Sequence, residues 1–247
     1  MVHGIYARKE HWIDFAAPLM DRYHVVLLDL PGFADNQALP AGDYALNRQG
    51  QHLMAVLDAL GLEQFHIAAN SMGAQISGPL APVLGDRLLS LAFIGSPLGV
   101  KSLTPSDMEI AMAEGGSPLV VQSEEDFYAR MDWLFPETPF LPAVIVQTWA
   151  KDEAALAAHN MRVWQEVHAS FDTPLLTIAP QIQQPTFTAW CREDRIFHIS
   201  GAQVLADALP DNTLRIMDHC GHVPMMDKPT ETAALYLQFL DGLGQTE

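Results

Sequence analysis

The stretch that decides the fold reads Phe65-His66-Ile67-Ala68-Ala69-Asn70-Ser71-Met72-Gly73-Ala74. An apolar, strand-like run stops at a serine, and small residues then open a segment with helical spacing. This order is typical of a nucleophile elbow, a tight strand-to-helix turn that strains the serine backbone and projects its hydroxyl above the end of a sheet. Gly73 suits the close approach of strand and helix, whereas Ala69 replaces the usual glycine two residues before the serine. Ser71 is the candidate nucleophile, and a serine that only caps a helix is the alternative.

Two later fragments supply the partners that such a serine needs. Asp194 follows the apolar run 185–190, and His222 lies in Cys220-Gly221-His222-Val223-Pro224. Serine, aspartate and histidine occur in this chain order in the α/β-hydrolase fold. Each partner has an alternative: Asp194, with Glu193 beside it, could be a loop or capping carboxylate, and His219 competes with His222 as the base. Only His222 follows a glycine that lets the loop turn sharply.

The chemistry that these side chains predict is acyl transfer. His222 would take the proton of Ser71, and Asp194 would hold the imidazole in one tautomer. An acid placed after the preceding strand is excluded, because Gly95-Ser96-Pro97 holds no carboxylate. The oxyanion of the tetrahedral intermediate would be bound by two backbone N–H groups, those of Ile5 and Met72.

Strand and helix patterns alternate along the chain and predict a mostly parallel sheet flanked by helices. The alternation stops between residues 98 and 183, where helical stretches and prolines replace it. We therefore predict a core of residues 1–97 and 184–247, and a helical cap of residues 98–183 inserted after the sixth strand. The alternative is that the aromatic residues of the cap only pack it onto the core. As the lining of a substrate pocket we predict Tyr6, Phe127, Met131, Trp133, Phe135 and Val223.

The N-terminus is short for such a sheet. A central strand should lead into the turn at His3-Gly4, where the His3 ring is expected to bond nearby backbone, yet only two residues precede it. We expect N-terminal strands to be missing, which would leave backbone groups unpaired unless a neighbouring molecule, such as a second copy, covers the edge. Residues 24–30 form a near-continuous apolar run and are predicted to be a buried parallel strand. Residues 37–43 are predicted to be loop.

The composition limits the partners of the chain. Among 247 residues, 13 Lys and Arg stand against 30 Asp and Glu, which gives a net charge of −17. Such a surface repels nucleic acids and anionic lipid headgroups, and it favours neutral or cationic substrates. No apolar run has the length of a membrane span and no signal peptide is visible. We therefore expect no stable membrane insertion and favour a cytoplasmic location.

The chain has two cysteines, Cys191 and Cys220, which lie next to the candidate acid and base at the ends of strands that should be neighbours. A bridge between them is open, but free thiols are favoured because two cysteines make no disulfide framework. No Cys and His spacing matches a zinc site. The sequence predicts neither a metal nor a cofactor.

Over its whole length the chain resembles the α/β-hydrolases, and among them the lipase-3-like bacterial esterases and the related monoacylglycerol lipases. The resemblance implies that Ser71, Asp194 and His222 form a triad that hydrolyses a small carboxylic ester, such as a monoacylglycerol or a short to medium acyl ester. Ala69 and Cys191 depart from the glycines usual in the family. The motifs that carry the resemblance are His3-Gly4, Asp29-Leu30-Pro31-Gly32-Phe33, Asn70-Ser71-Met72-Gly73, Glu193-Asp194-Arg195, Cys220-Gly221-His222-Val223-Pro224-Met225 and Lys228-Pro229.

Two other functions stay open. The carbon–carbon bond hydrolases of aromatic catabolism share Asn-Ser-Met-Gly and the triad, although they usually follow the histidine with tryptophan, where this chain has Val223. A non-catalytic ligand receptor on the same fold is the second alternative. Haloalkane dehalogenases and epoxide hydrolases are excluded, because they need an aspartate where Ser71 stands.

Overall fold

A computed structural model describes residues 1–36, 44–171 and 173–244, so the predicted loop at 37–43 lies outside the described residues. Within these described ranges, four parallel strands form the sheet, and their order in space follows their order in the chain. The carboxyl ends of parallel strands meet at one edge of a sheet, which is where α/β folds bind ligands. The strands are β1 (Phe65–Ser71), β2 (Leu88–Pro97), β3 (Thr186–Cys191) and β4 (Asn212–Met217).

Strands β2 and β3 are the buried centre of the sheet. All residues of β3 are buried, as are all of β2 except Leu89, which fits strands that helices cover on both faces. The register pairs Ser71 with Pro97 and Cys191 with Met217. The strand ends that carry the candidate residues therefore lie level with one another.

Helices account for much of the remaining chain. The helix after β1 ends at Ser77, and Pro79, which has no backbone N–H to continue the helix, lies within the short 3-10 turn that follows. The helices are α1 (Ile13–Ala16), α2 (Leu46–Ala59), α3 (Met72–Ser77), α4 (Ala81–Leu84), α5 (Asp107–Ala113), α6 (Glu124–Leu134), α7 (Ala143–Ala155), α8 (Ala157–Ala169), α9 (Leu175–Ile178), α10 (Ser200–Ala208), α11 (Pro224–Asp227) and α12 (Pro229–Leu243).

Between β2 and β3 the described residues contain helices α5 to α9 and no strand. Helices α5 and α6 each begin with a capping box, in which Ser106 and Ser123 accept from backbone N–H groups three residues later. The helical content agrees with the predicted insertion at 98–183, while its status as a separate cap stays a prediction. Within the described parts of the chain, no helix is both long and apolar enough to cross a membrane.

The prediction of a strand at residues 24–30 is wrong. The segment pairs with no strand. The Met1 ammonium donates a hydrogen bond to the Val26 carbonyl at 2.7 Å, but this contact does not form a strand pair. A strand needs a partner along its length. In the part of the chain that the structure describes, β1 pairs on this side only with Val2, through a single bridge at Ala69. A cavity that is partly open to solvent is lined both by residues 23–26 and 28 and by residues 65–68 of β1. The missing N-terminal strands stay a prediction.

Candidate active site

The candidate nucleophile lies at a strained turn. Ser71 ends β1 with φ 51° and ψ −116°, a conformation that residues with a side chain rarely adopt, and α3 begins at the next residue. Gly73 explains why the helix can start there: a Cβ at this position would lie 2.5 Å from the His3 carbonyl and 2.6 Å from that of Val2. The chain after the N-terminus therefore packs directly against the elbow. Ala69, which stands where the family usually has glycine, lies fully buried within β1.

The candidate base and acid contact each other in the interior. Nδ1 of His222 lies 3.1 Å from Oδ2 of Asp194, and both side chains are buried. The other oxygen of Asp194 accepts the backbone N–H groups of Ile196 at 2.8 Å and Phe197 at 3.1 Å. These bonds hold the carboxylate, and the carboxylate orients the imidazole, so that Nε2 is the nitrogen left for another partner.

Ser96 is a polar neighbour of this pair that sequence reasoning missed. Its buried hydroxyl makes a short hydrogen bond to Oδ2 of Asp194 and lies 3.0 Å from Nδ1 of His222. A serine at this strand end cannot serve as the acid of a triad, so the sequence alone did not indicate it. The signal that could have found Ser96 is its position directly after Gly95, whose φ of 82° turns the chain beside the histidine loop.

The other histidine and the other acid of these two loops have different surroundings. His219 is exposed, and it does not line the cleft that contains Ser71 and His222. Glu193 is half-buried, and Oε2 of its carboxylate accepts the Cys220 backbone N–H at 3.4 Å. The structure therefore favours Asp194 and His222 as the residues to test.

The expectation of free thiols is wrong, because Cys191 and Cys220 form a disulfide. Cys191 ends β3 next to the loop of Asp194, and Cys220 lies two residues before His222. The parallel pairing of β3 with β4 brings the two strand ends side by side, which is the geometry that a disulfide needs. The cross-link thus joins the acid loop to the base loop.

The turn at His3-Gly4 lies beside the elbow, as the oxyanion prediction requires. Nδ1 of His3 lies 2.7 Å from the Gly4 carbonyl, and Nε2 accepts the Leu30 N–H at 2.9 Å, which confirms that the ring bonds nearby backbone. Burial lowers the pKa of His3 to about 4, so the ring is neutral near pH 7. Ile5 lines the cleft, and Met72 is the first residue of α3, where a helix N–H has no partner within the helix.

A mainly apolar cleft with about 640 Å³ of empty space, partly open to solvent, contains Ser71 and His222. Trp133 is not part of its lining: this ring packs on Arg195, at 4.4 Å from the guanidinium carbon. It lies two residues after Met131 on α6, and residues two apart on a helix face different directions. Sequence reasoning missed Arg130 and Glu153, which do line the cleft. The predicted residues found there are Tyr6, Phe127, Met131, Phe135 and Val223.

The described residues contain no group of three His, Cys, Asp or Glu side chains that could hold a metal ion. The candidate site is thus built from a serine, an imidazole and a carboxylate beside an apolar cleft.

Comparison with known proteins agrees with this architecture. Residues 1–229 match the model of the alpha/beta hydrolase fold family. Lipase 3 of Moraxella sp. is 26% identical over 98% of this chain and 77% of its own length. Monoacylglycerol lipase ABHD6 of Mus musculus is 23% identical over 100% of this chain and 76% of its own length.

Among solved structures, a membrane phospholipase A, described as a bacterial virulence factor, superposes with a TM-score of 0.92. It is 35% identical in sequence, and the match covers 99% of this chain and 78% of that one. With a family model that spans most of its length and relatives that are named lipases, the chain belongs to the α/β-hydrolase fold family.

Proposed function

We propose that this lipase-type hydrolase cleaves carboxylic esters through an acyl-enzyme on Ser71. The observation that carries the proposal is the strained turn of Ser71 in the same cleft as His222, whose Nδ1 faces Asp194 at 3.1 Å. The names of the relatives support an ester as substrate. A mainly apolar cleft suits an acyl chain, which supports short to medium acyl esters or a monoacylglycerol.

In the proposed reaction, Oγ of Ser71 attacks the ester carbonyl carbon while Nε2 of His222 takes the hydroxyl proton. The tetrahedral oxyanion accepts hydrogen bonds from the N–H groups of Ile5 and Met72. Collapse of the intermediate breaks the bond to the alcohol oxygen, and His222 returns the proton to that oxygen. Water, activated by the same imidazole, then adds to the acyl-enzyme and releases the acid and free Ser71. Asp194 keeps Nδ1 protonated throughout.

The test is Ser71→Ala, assayed with p-nitrophenyl butyrate. We expect kcat to fall on the order of a million-fold, as when a member of a triad that acts as a unit is removed. Ser77→Ala is the matched control, because Ser77 is a buried serine of α3, the helix that begins directly after Ser71, and its hydroxyl has no hydrogen-bond partner among the described residues. A fluorophosphonate should add mass at Ser71 alone.

Two results would redirect the proposal. Turnover of a dienoate ring-cleavage product, with none of the butyrate ester, would make the protein a carbon–carbon bond hydrolase. Binding without turnover of either compound would make it a receptor.

A further inference from the structure

The cleft contains a buried ion pair that the acyl transfer proposed above does not use. Arg130 lies on α6 and Glu153 on α7, with Nη2 and Oε2 2.6 Å apart. Only 6% of the Arg130 side chain and 13% of the Glu153 side chain are exposed, and both residues line the cleft together with Ser71. Withdrawing two charges from water is costly, and apolar residues of similar volume often serve stability equally well. Stability alone therefore does not account for the pair.

Much of the hydrogen-bonding capacity of this pair is unused. Among the described residues, Nε and Nη1 of Arg130 have no hydrogen-bond partner. Oε2 of Glu153 has none either, because its contact with Nη2 of Arg130 is close but poorly aligned for a hydrogen bond. Two aromatic rings hold the guanidinium in place: the centroids of Phe127 and Tyr6 lie 5.2 Å and 5.8 Å from its carbon. The Tyr6 hydroxyl is itself occupied, since it donates to the Asn160 carbonyl at 2.7 Å. Buried polar groups without partners are rare, and a ligand is one reason for them.

The two charges decide which ligand fits. A hydroxyl group can accept a hydrogen bond from Arg130 and donate one to Glu153, and a pair of adjacent hydroxyls can do both at once. A phosphate or carboxylate group only accepts, and it would have to lie beside the Glu153 carboxylate, which repels it. A plain alkyl group would leave the donors and the acceptor unpaired. The combination therefore selects a neutral group that carries hydroxyls.

We propose that the Arg130–Glu153 pair is a subsite for the alcohol part of the ester, and that it recognises the free hydroxyls of a neutral polyol such as glycerol. This inference rests on the ester hydrolysis proposed above and names the alcohol. Within the cleft, the apolar residues would take the acyl chain, while the pair fixes the head group relative to Ser71.

The first experiment compares glyceryl monobutyrate with ethyl butyrate, which share the acyl group and differ in the alcohol. In Arg130→Met/Glu153→Leu we expect the ratio of kcat/KM for the two esters to fall about thirtyfold, because hydrogen bonds to charged groups are lost for one ester only. The melting temperature should not fall, since an apolar pair replaces a buried ion pair. Arg22→Met is the control: Arg22 forms an exposed ion pair with Asp241, and the ratio should stay unchanged.

The second experiment tests the sign of the charge argument. Glu153→Gln removes the carboxylate and keeps its size, so it should raise kcat/KM for 1-butyrylglycerol 3-phosphate about tenfold relative to glyceryl monobutyrate. If the unmodified protein already prefers the phosphate ester to glyceryl monobutyrate, recognition of a neutral polyol is overturned.

The third experiment separates this inference from the reaction. Calorimetry on Ser71→Ala with 1-O-octylglycerol, an ether that cannot be hydrolysed, should show binding that the Arg130→Met/Glu153→Leu changes weaken at least tenfold. Such a result supports the subsite even if neither butyrate ester is turned over. Unchanged binding and an unchanged substrate ratio, with a lower melting temperature, would make the pair only a structural bridge between α6 and α7.

Discussion

Removal of the Cys191–Cys220 disulfide should lower the free energy of unfolding by an amount that depends on the length of chain that the bond closes. The bond closes a segment with a sequence separation of 29 residues. Cross-linking a loop of this length lowers the entropy of the unfolded chain, which stabilises the folded state by about 3.6 kcal/mol. For a chain of this size the corresponding loss of melting temperature is roughly 7–14 °C.

The assay is thermal and chemical unfolding of Cys191→Ala, Cys220→Ala and the double variant. Either single change breaks the whole cross-link, so each should lose most of the 3.6 kcal/mol, and the double variant should lose little more. Unfolding of the unmodified protein in the presence of a strong reductant is the control, and it should approach the stability of the variants.

Additivity would refute this reasoning. If the double variant lost about twice as much free energy of unfolding as each single variant, the two sulfur atoms would be acting through separate packing contacts and not through a shared bond. Equal stability of the unmodified protein and all three variants would show that the cross-link does not constrain the unfolded chain.

Two further predictions concern the triad and pH. Asp194→Asn should lower kcat about ten-thousandfold. Adding Ser96→Asp should raise the kcat of that variant about tenfold or more, because Oγ of Ser96 lies 3.0 Å from Nδ1 of His222. A double variant no more active than Asp194→Asn would contradict this. Burial lowers the pKa of His3 to about 4 in the folded protein. Between pH 6.5 and 4 the His3 imidazole is therefore protonated in the unfolded chain but neutral in the folded one. Stability should therefore fall as the pH drops from 6.5 to 4, by about 3 kcal/mol more than in His3→Gln; equal pH dependence in urea unfolding would contradict it.

The candidate site could be predicted from sequence where a local backbone requirement leaves a local trace. Gly73 has no side chain, which lets α3 pass close to the chain at His3. The small residues around Ser71 therefore predicted the strand-to-helix turn. The glycine before His222 distinguished it from His219 in the same way. Such features depend on a few neighbouring residues, and so they can be read without knowledge of the rest of the fold.

Other features arise only between distant segments. Residues 24–30 have the composition of a buried strand, but a strand also needs a partner, and the composition does not supply one. Ser96 and Asp194 are 98 residues apart in the sequence. Their hydrogen bond depends on the register of β2 against β3.

The sequence by itself determined the alternation of strands and helices after residue 44, the elbow at Ser71, and the identity of the candidate acid and base. Only the tertiary structure decided that the two cysteines pair, that Trp133 faces away from the cleft, and that Arg130 meets Glu153 inside it. The physical reason is that backbone conformation responds to residues close in the chain. Burial and pairing of side chains instead depend on which distant elements pack against them.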